Sequence, residues 1–385
     1  MASASKRSKT ETDMEGASEM DPNTARKLFE EGAILVFLNV PEGTEFGMDY
    51  NSWTVGSKFR GVKMIPPGIH FVYYSAVSKL QETAPRSGFF YNFKQREILV
   101  KKWDPRQEDI SDYSPTDDEM HRYECNREEM DRYLGPYPYE SLKRWVSLTN
   151  RITEPLMKAL VPNSGKITSA TELLCDKESR TTQQRAEIHA SVADDASMED
   201  KLPQMHTNPD TQIHFSEIPK KYPSGANPAE ITKYSMDSSY ALETLVKTHY
   251  NDNVFGVIGE LQFAFICFLL GQVYDSFEHW KHLFHLLCSC EDAIDKHGDL
   301  YHAFMTTIYF QLAEIPKDFF VDIVTRNNFL TSCLADFFRN LDDSEATHHL
   351  KSRGRKLKQS LTKKFQWDFD DFESGEYAPT VVDLS

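Results

Sequence analysis

Three histidines, His279, His282 and His285, recur at every third position in the run EHWKHLFH. On a helix this spacing brings successive imidazoles near one another, as ligands of a zinc ion would need to be. The third ring is rotated well away from the first, however, and neither an HExxH motif nor a paired set of cysteines completes a tetrahedral site. Packing and surface roles are the plainer reading, and a metal-dependent hydrolase built on the three rings is the alternative. Asp49, in EFGMDYNSW, invites comparison with an aspartic protease because its surroundings are β-rich, yet the small Thr/Ser-Gly pair of such a loop does not follow it. No GxSxG elbow, GxxxxGK[ST] loop or GxGxxG fingerprint occurs. The sequence therefore assigns no catalytic residue, no cofactor and no metal ligand, and the protein is expected not to be an enzyme.

Two other sets of residues suit binding. The glycines and prolines of PEGTEFGMDYNSW and GVKMIPPGIHF fix turns around Phe46, Tyr50, Trp53 and Phe59, which serve either as ordinary core or as a binding surface on a β scaffold. The second set is the segment Pro379, Thr380, Val381, Val382, Asp383 and Leu384, which follows the acidic aromatic run Phe365 to Glu373. Such a β-favouring stretch on a polar tether suits strand addition to a sheet edge, with alternate side chains giving register. Its host could be a partner's sheet or this protein's own, and the pattern leaves both open.

Composition narrows the classes further. The chain has 385 residues, with 43 Lys+Arg against 59 Asp+Glu and a formal net charge of -16, which argues against direct binding to a nucleic-acid backbone. Its length suits two domains. Cys125, Cys175, Cys267, Cys288, Cys290 and Cys333 are scattered without a CxxC pair, as befits reduced thiols. Residues Met1 to Met20 carry no apolar core of a secretory signal. The apolar run Val254 to Gly271 is interrupted by Glu260 and Gln262 and reads as a buried helix, with no membrane span.

The elements that must position these residues fall into an α+β, multidomain order. A disordered leader is expected over 1–20, and a β-rich, sandwich-like domain with a helical appendage over 21–161. Asp21-Pro22 opens a short helix, and Ala33 to Val40 is a buried strand ending at Pro41-Glu42-Gly43. Short aromatic and β-branched runs follow as far as Trp103. The appendage comprises a charged helix from Asp117 to Leu134, with Met120, Tyr123, Met130, Tyr133 and Leu134 on its apolar side, and a second helix from Tyr139 to Asn150. A flexible polar linker is expected over 162–212, an all-α domain over 213–365, and a tail over 366–385. The predicted helices of the α domain are Ala229 to Tyr250, Phe255 to Leu270, Tyr274 to Cys290, Leu300 to Glu314, Lys317 to Thr325, Phe329 to Asn340 and Glu345 to Lys364.

The segments PEGTEFGMDYNSW, KFRGVKMIPPGIHF, LGPYPYESLKRW, PAEITKYSMDSSYALE, GELQFAFICFLLGQVYDSFEHWK, EIPKDFFVDIV and LTKKFQWDF together resemble the Aar-two splicing-factor family, its animal members in particular. The matching segments run from about Phe29 to Leu384. The resemblance implies a β-rich amino-terminal domain and a VHS-like helical carboxy-terminal domain. It also implies an assembly factor for the U5 small nuclear ribonucleoprotein, which binds the RNase-H-like and MPN-like domains of the U5 core scaffold protein in a cytoplasmic precursor. The factor would keep the U5 helicase from docking until it leaves in the nucleus, so cytoplasmic and nuclear locations are expected. In that family the carboxy-terminal tail is thought to add a strand between the two scaffold domains, a role that Pro379 to Leu384 would fill here. A helical adaptor with unrelated partners is the remaining alternative.

Overall fold

The computed structural model describes residues 21–77, 83–170, 173–175, 205–223, 225–316 and 329–369. Contacts divide the described residues into two compact units, one holding those within 21–44, 54–70 and 91–138 and the other those within 45–53, 71–90 and 139–369.

In the first unit, helix α1 (Pro22–Glu31) starts as its sequence predicts, with Asp21 accepting a hydrogen bond from the Thr24 amide and proline in the first turn. Strand β1 (Ala33–Leu38) follows and is buried along nearly all its length. A strand apolar on both faces must lie inside its sheet. Here β1 runs parallel to β7 (Ile98–Asp104) and antiparallel to β4 (Gly61–Ile65), in the sheet order β8-β7-β1-β4-β9, where β8 is Asp109–Ile110 and β9 is Gly135–Pro136. The close β1/β4 pairing requires Gly61: its φ is +138°, and a Cβ there would run into the Leu35 carbonyl oxygen. One face of this sheet carries Ile34, Val36, Ile98, Val100 and Leu134, against which Met120, Tyr123 and Met130 pack.

The expected helix from Asp117 to Leu134 is broken into α2 (Asp117–Cys125), α3 (Arg127–Met130) and a 3-10 turn (Asp131–Tyr133). A complete capping box, Thr116 with Glu119, starts α2. Across the break Met120, Tyr123, Met130 and Leu134 still pack toward the sheet, whereas Tyr133, expected with them, is exposed.

The second unit contains the greater part of the other five-stranded sheet, in the order β10-β6-β5-β2-β3, with β2 at Glu45–Met48, β3 at Asn51–Thr54, β5 at Gly68–Ser75, β6 at Ser87–Phe93 and β10 at Ile167–Thr168. Most of this sheet groups with the helices, so the β-rich region supplies one sheet to each unit. A single strand run does not reveal which sheet it will join, because pairing is a long-range property. Ile167 and Thr168 fall in the stretch expected to be linker, yet they pair with Gly88 and Ser87. Beyond them β11 (Leu173–Cys175) pairs with β12 (Met205–Thr207).

The helices of this unit are α4 (Tyr139–Thr149), α5 (Glu154–Leu160), α6 (Pro228–Met236), α7 (Ser239–His249), α8 (Phe255–Leu269), α9 (Tyr274–Cys288), α10 (Asp292–Lys296), α11 (Gly298–Glu314), α12 (Phe329–Asp343) and α13 (His348–Phe365). The expected helix from Ala229 to Tyr250 is two helices, α6 and α7, because Asp237 leaves the helical conformation with φ -119° and ψ 116°. Helices α5 and α10 were absent from the sequence reading; Thr153 caps α5, and Pro155 lies in its first turn. The predicted helix Lys317 to Thr325 lies outside the described residues.

Helix α8 is the centre of the unit, with every side chain from Val257 to Cys267 buried. Burial of Leu261, Phe263, Phe265 and Ile266 contributes about 1.5–3 kcal/mol each. Phe263 stacks on Phe90 of the sheet, with centroids 4.6 Å apart. Gly259 lets α8 approach its neighbours closely, since a Cβ there would lie 2.5 Å from both the Arg151 carbonyl oxygen and Leu156 Cδ2. Among the described residues no helix is long and apolar enough to cross a membrane.

Candidate partner-binding site

The two polar residues that interrupt the apolar run lie on opposite sides of α8, and each is completely buried. Glu260 accepts four hydrogen bonds: from the Ser216 amide at 2.8 Å and His279 Nε2 at 2.7 Å on Oε1, and from Ser216 Oγ at 2.7 Å and the Tyr250 hydroxyl at 2.5 Å on Oε2. Burial alone would raise its pKa, but these donors, led by His279, outweigh it and hold the carboxyl below its usual range. Burial and the adjoining carboxylate push the Tyr250 phenol far up. On the other side, Gln262 accepts from the Arg151 amide at 2.8 Å and donates to Asn150 Oδ1 at 3.0 Å. Trp280 Nε1 donates to Gln311 Oε1 at 2.9 Å.

These bonds give the polar centre a positioning role. The Ser216 contacts fasten the segment entering the helical part to α8, and Phe215 beside it stacks on the His279 ring, with centroids 4.2 Å apart and planes at 16°. On the sheet side, Arg86 donates to the Leu270 carbonyl at 2.9 Å and to Glu45 Oε1 at 3.0 Å, while its own amide donates to Ser169 Oγ at 2.8 Å. A cationic group on the last carbonyls of α8 also complements the helix dipole.

A cleft of about 200 Å³ lies between these fastened segments, lined by Thr168, Ser169, Thr211, Gln212, Phe215 and Tyr274 among others. Tyr274, at the first turn of α9, is 67% exposed. Strand β10 forms the end of its sheet beside the cleft, so a sheet edge and a small polar recess are presented together. Such an arrangement suits an extended peptide, whose backbone would meet the edge and whose side chain would enter the recess.

The three histidines are not brought together. His279 is committed to Glu260 and Phe215, whereas His285 lies against Cys333 Sγ at 3.4 Å and near the Phe329 ring. Among the described residues no group of three His, Cys, Asp or Glu side chains is arranged to hold a metal. Asp49 is buried at a backbone φ of 53°, and its carboxylate accepts from the Phe71 amide at 3.0 Å, so it shapes a turn. Of the loop aromatics, Phe46 is fully buried, Tyr50 lies under the Arg144 guanidinium at 3.8 Å, Phe59 is half-buried, and Trp53 stays 36% exposed on the edge strand β3. Pro379, Thr380, Val381, Val382, Asp383 and Leu384 lie outside the described residues. Ser216 and Tyr250 were missed as partners of Glu260. The available signal was the carboxylate itself, since a buried charge requires donors from elsewhere in the chain.

Comparison with known proteins places these features in a family. The family model of the "AAR2 N-terminal domain" matches residues 31–162, and that of the "AAR2 C-terminal repeat region" matches residues 215–370. The chain belongs to the AAR2 family. The mouse "Protein AAR2 homolog" is 48% identical over 375 residues, covering 95% of this chain and 97% of its own. The human "Protein AAR2 homolog" is 47% identical, covering 96% and 98% respectively. The yeast relative, "A1 cistron-splicing factor AAR2", is 22% identical over 79% of this chain and 82% of its own. The first AAR2 model takes in α4, α5 and the strands of both sheets except β10, and the second begins at Phe215, beside the Glu260 centre.

Proposed function

We propose that this AAR2-family protein is a non-catalytic factor of pre-mRNA splicing that binds the U5 core scaffold protein and delays docking of the U5 helicase. The observation that carries this reading is the match to the family along nearly the whole chain, together with the name of the yeast relative as a splicing factor. It is supported by the use made of the titratable groups singled out in the sequence: Glu260, His279 and Asp49 are engaged in positioning backbone and helices. In this reading the protein meets the scaffold's RNase-H-like and MPN-like domains in the cytoplasm, the helicase needs the same surface, and the factor leaves in the nucleus. The segment Pro379 to Leu384 adds a strand to the scaffold.

Affinity purification of the full chain from cytoplasmic and nuclear extracts, read by mass spectrometry, tests the proposal. The U5 scaffold should be recovered without the helicase, and mainly from the cytoplasm. A scaffold-free purification, or one in which factor and helicase occupy the same particle, would overturn it. Truncation after Gly375 should weaken capture of the purified MPN-like domain by about tenfold, or about 1.4 kcal/mol. Equal affinity would remove the tail from the reading.

A further inference from the structure

Helix α13 runs for 18 residues, HHLKSRGRKLKQSLTKKF, with Lys351, Arg353, Arg355, Lys356, Lys358, Lys363 and Lys364 and no carboxylate, in a chain of net charge -16. Its apolar side, Leu350, Gly354, Leu357 and Leu361, is buried. Arg353 donates to Thr306 Oγ1, and Lys364 to the Leu312 and Ala313 carbonyls, on the flank facing α11. Lys351, Arg355 and Lys358 recur at helical spacing on the opposite flank, toward α12. There Lys351 donates to the Asp342 carbonyl at 2.8 Å, and Arg355 lies 3.6 Å from the Asp342 carboxylate with both side chains more than half exposed.

The chain leaving α13 reverses onto this flank. Gln366 ends the helix in the left-handed conformation, at φ 60° and ψ 30°, with its amide donating to the Thr362 carbonyl. Trp367 then stacks on Phe365, and Phe369 is buried edge-on against Phe338 of α12, with centroids 5.2 Å apart. Gly354 faces Leu341 across the helix pair, so Phe338 is level with Leu357, and the chain has come back roughly two helical turns. Ahead of it in that direction lie Arg355 and Lys351. The residues that follow are Asp370, Asp371, Phe372, Glu373, Ser374, Gly375 and Glu376, four acids without a base. Seven extended residues span up to about 23 Å, more than the roughly 14 Å of helix between Leu357 and His348.

We propose that the acidic segment Asp370 to Glu376 docks in the same molecule along the Lys351, Arg355 and Lys358 flank of α13, latching the chain beyond it to the helical unit. Tethering gives the segment a high effective concentration at this flank, so a few exposed ion pairs suffice to hold it. The inference concerns the isolated protein and does not depend on the scaffold reading.

Zero-length carbodiimide cross-linking of the full-length protein tests it, because that reagent joins only lysines and carboxylates in contact. An equal mixture of 14N- and 15N-labelled protein separates links within a chain from links between copies. Lys351 and Lys358 should link to Asp370, Asp371 or Glu373 within one chain. Raising the salt from about 0.15 M to about 1 M, which shortens screening from about 8 Å to about 3 Å, should lower the yield. Arg355→Glu, which leaves both reacting lysines in place, should reduce it severalfold, because an exposed attraction becomes a repulsion. Full exchange, Lys351→Glu, Arg355→Glu and Lys358→Glu together with Asp370→Lys, Asp371→Lys and Glu373→Lys, should give links of the reverse sense, from the new lysines to the new carboxylates. Absence of these links in the natural protein, links only between copies, or a yield indifferent to salt would each overturn the proposal, and the salt series requires no variant to fold.

Discussion

Glu260 sits in mid-helix with no exposure, and its charge persists because two hydroxyls, one amide and one imidazole are turned toward it. Removing such a carboxylate leaves its donors buried and unpaired, so Glu260→Ala should cost about 3–5 kcal/mol in denaturant unfolding. Ser216→Ala, which keeps the amide contact, should cost about 2 kcal/mol. The pH dependence follows from the lowered carboxyl pKa. Its stabilising contribution is complete above the unfolded value of about 4.3 and is lost as pH falls through the lower folded value. The natural protein should therefore lose more stability than Glu260→Ala between neutral and strongly acidic pH, as read from urea midpoints at each. The thiols form a second set at this scale. Cys267, Cys288, Cys290 and Cys333 are buried and Cys125 is exposed, and burial pushes Cys290 and Cys333 up to about 12. Alkylation followed by mass spectrometry should mark Cys125 in the native protein and the other four only after denaturation.

Asp237 shows how one side chain can start two helices. Its Oδ1 accepts from the Ser239 amide at 2.9 Å and the Glu291 amide at 2.8 Å, at the beginnings of α7 and α10. Asp237→Ala should destabilise the protein by about 1–2 kcal/mol, measured by thermal or urea unfolding. The Asp237 example also marks a limit of reading elements from sequence. The strand at Ala33 and the bounds of α8 and α9 were legible because each is a strong local pattern closed by turn residues. The break at Asp237 was not, since its reward comes from an amide 54 residues away. Helix α10 has five residues, too few to show a period. At the candidate site, the sequence marked Glu260 and His279 separately, but their pairing, the cleft and the commitment of β10 to a sheet depend on tertiary contacts.

At the scale of the whole molecule the distribution of charge matters more than its sum. A chain of net charge -16 that places seven basic residues on one helix can present opposite faces to different partners. If the acidic segment covers that helix, the full chain should pass through immobilised heparin at about 0.15 M salt, near physiological screening. A variant with Asp370→Asn, Asp371→Asn and Glu373→Gln should be retained. The two ends of the polar stretch have a further consequence. Ile167 and Thr168 on one side and Phe215 and Ser216 on the other are fixed within the same compact unit, which is also held by Phe90 against Phe263. A backbone cut between 176 and 204 would thus divide the polypeptide without dividing that unit. Its halves, made as separate polypeptides, should assemble by complementation, turning one gene product into a split protein.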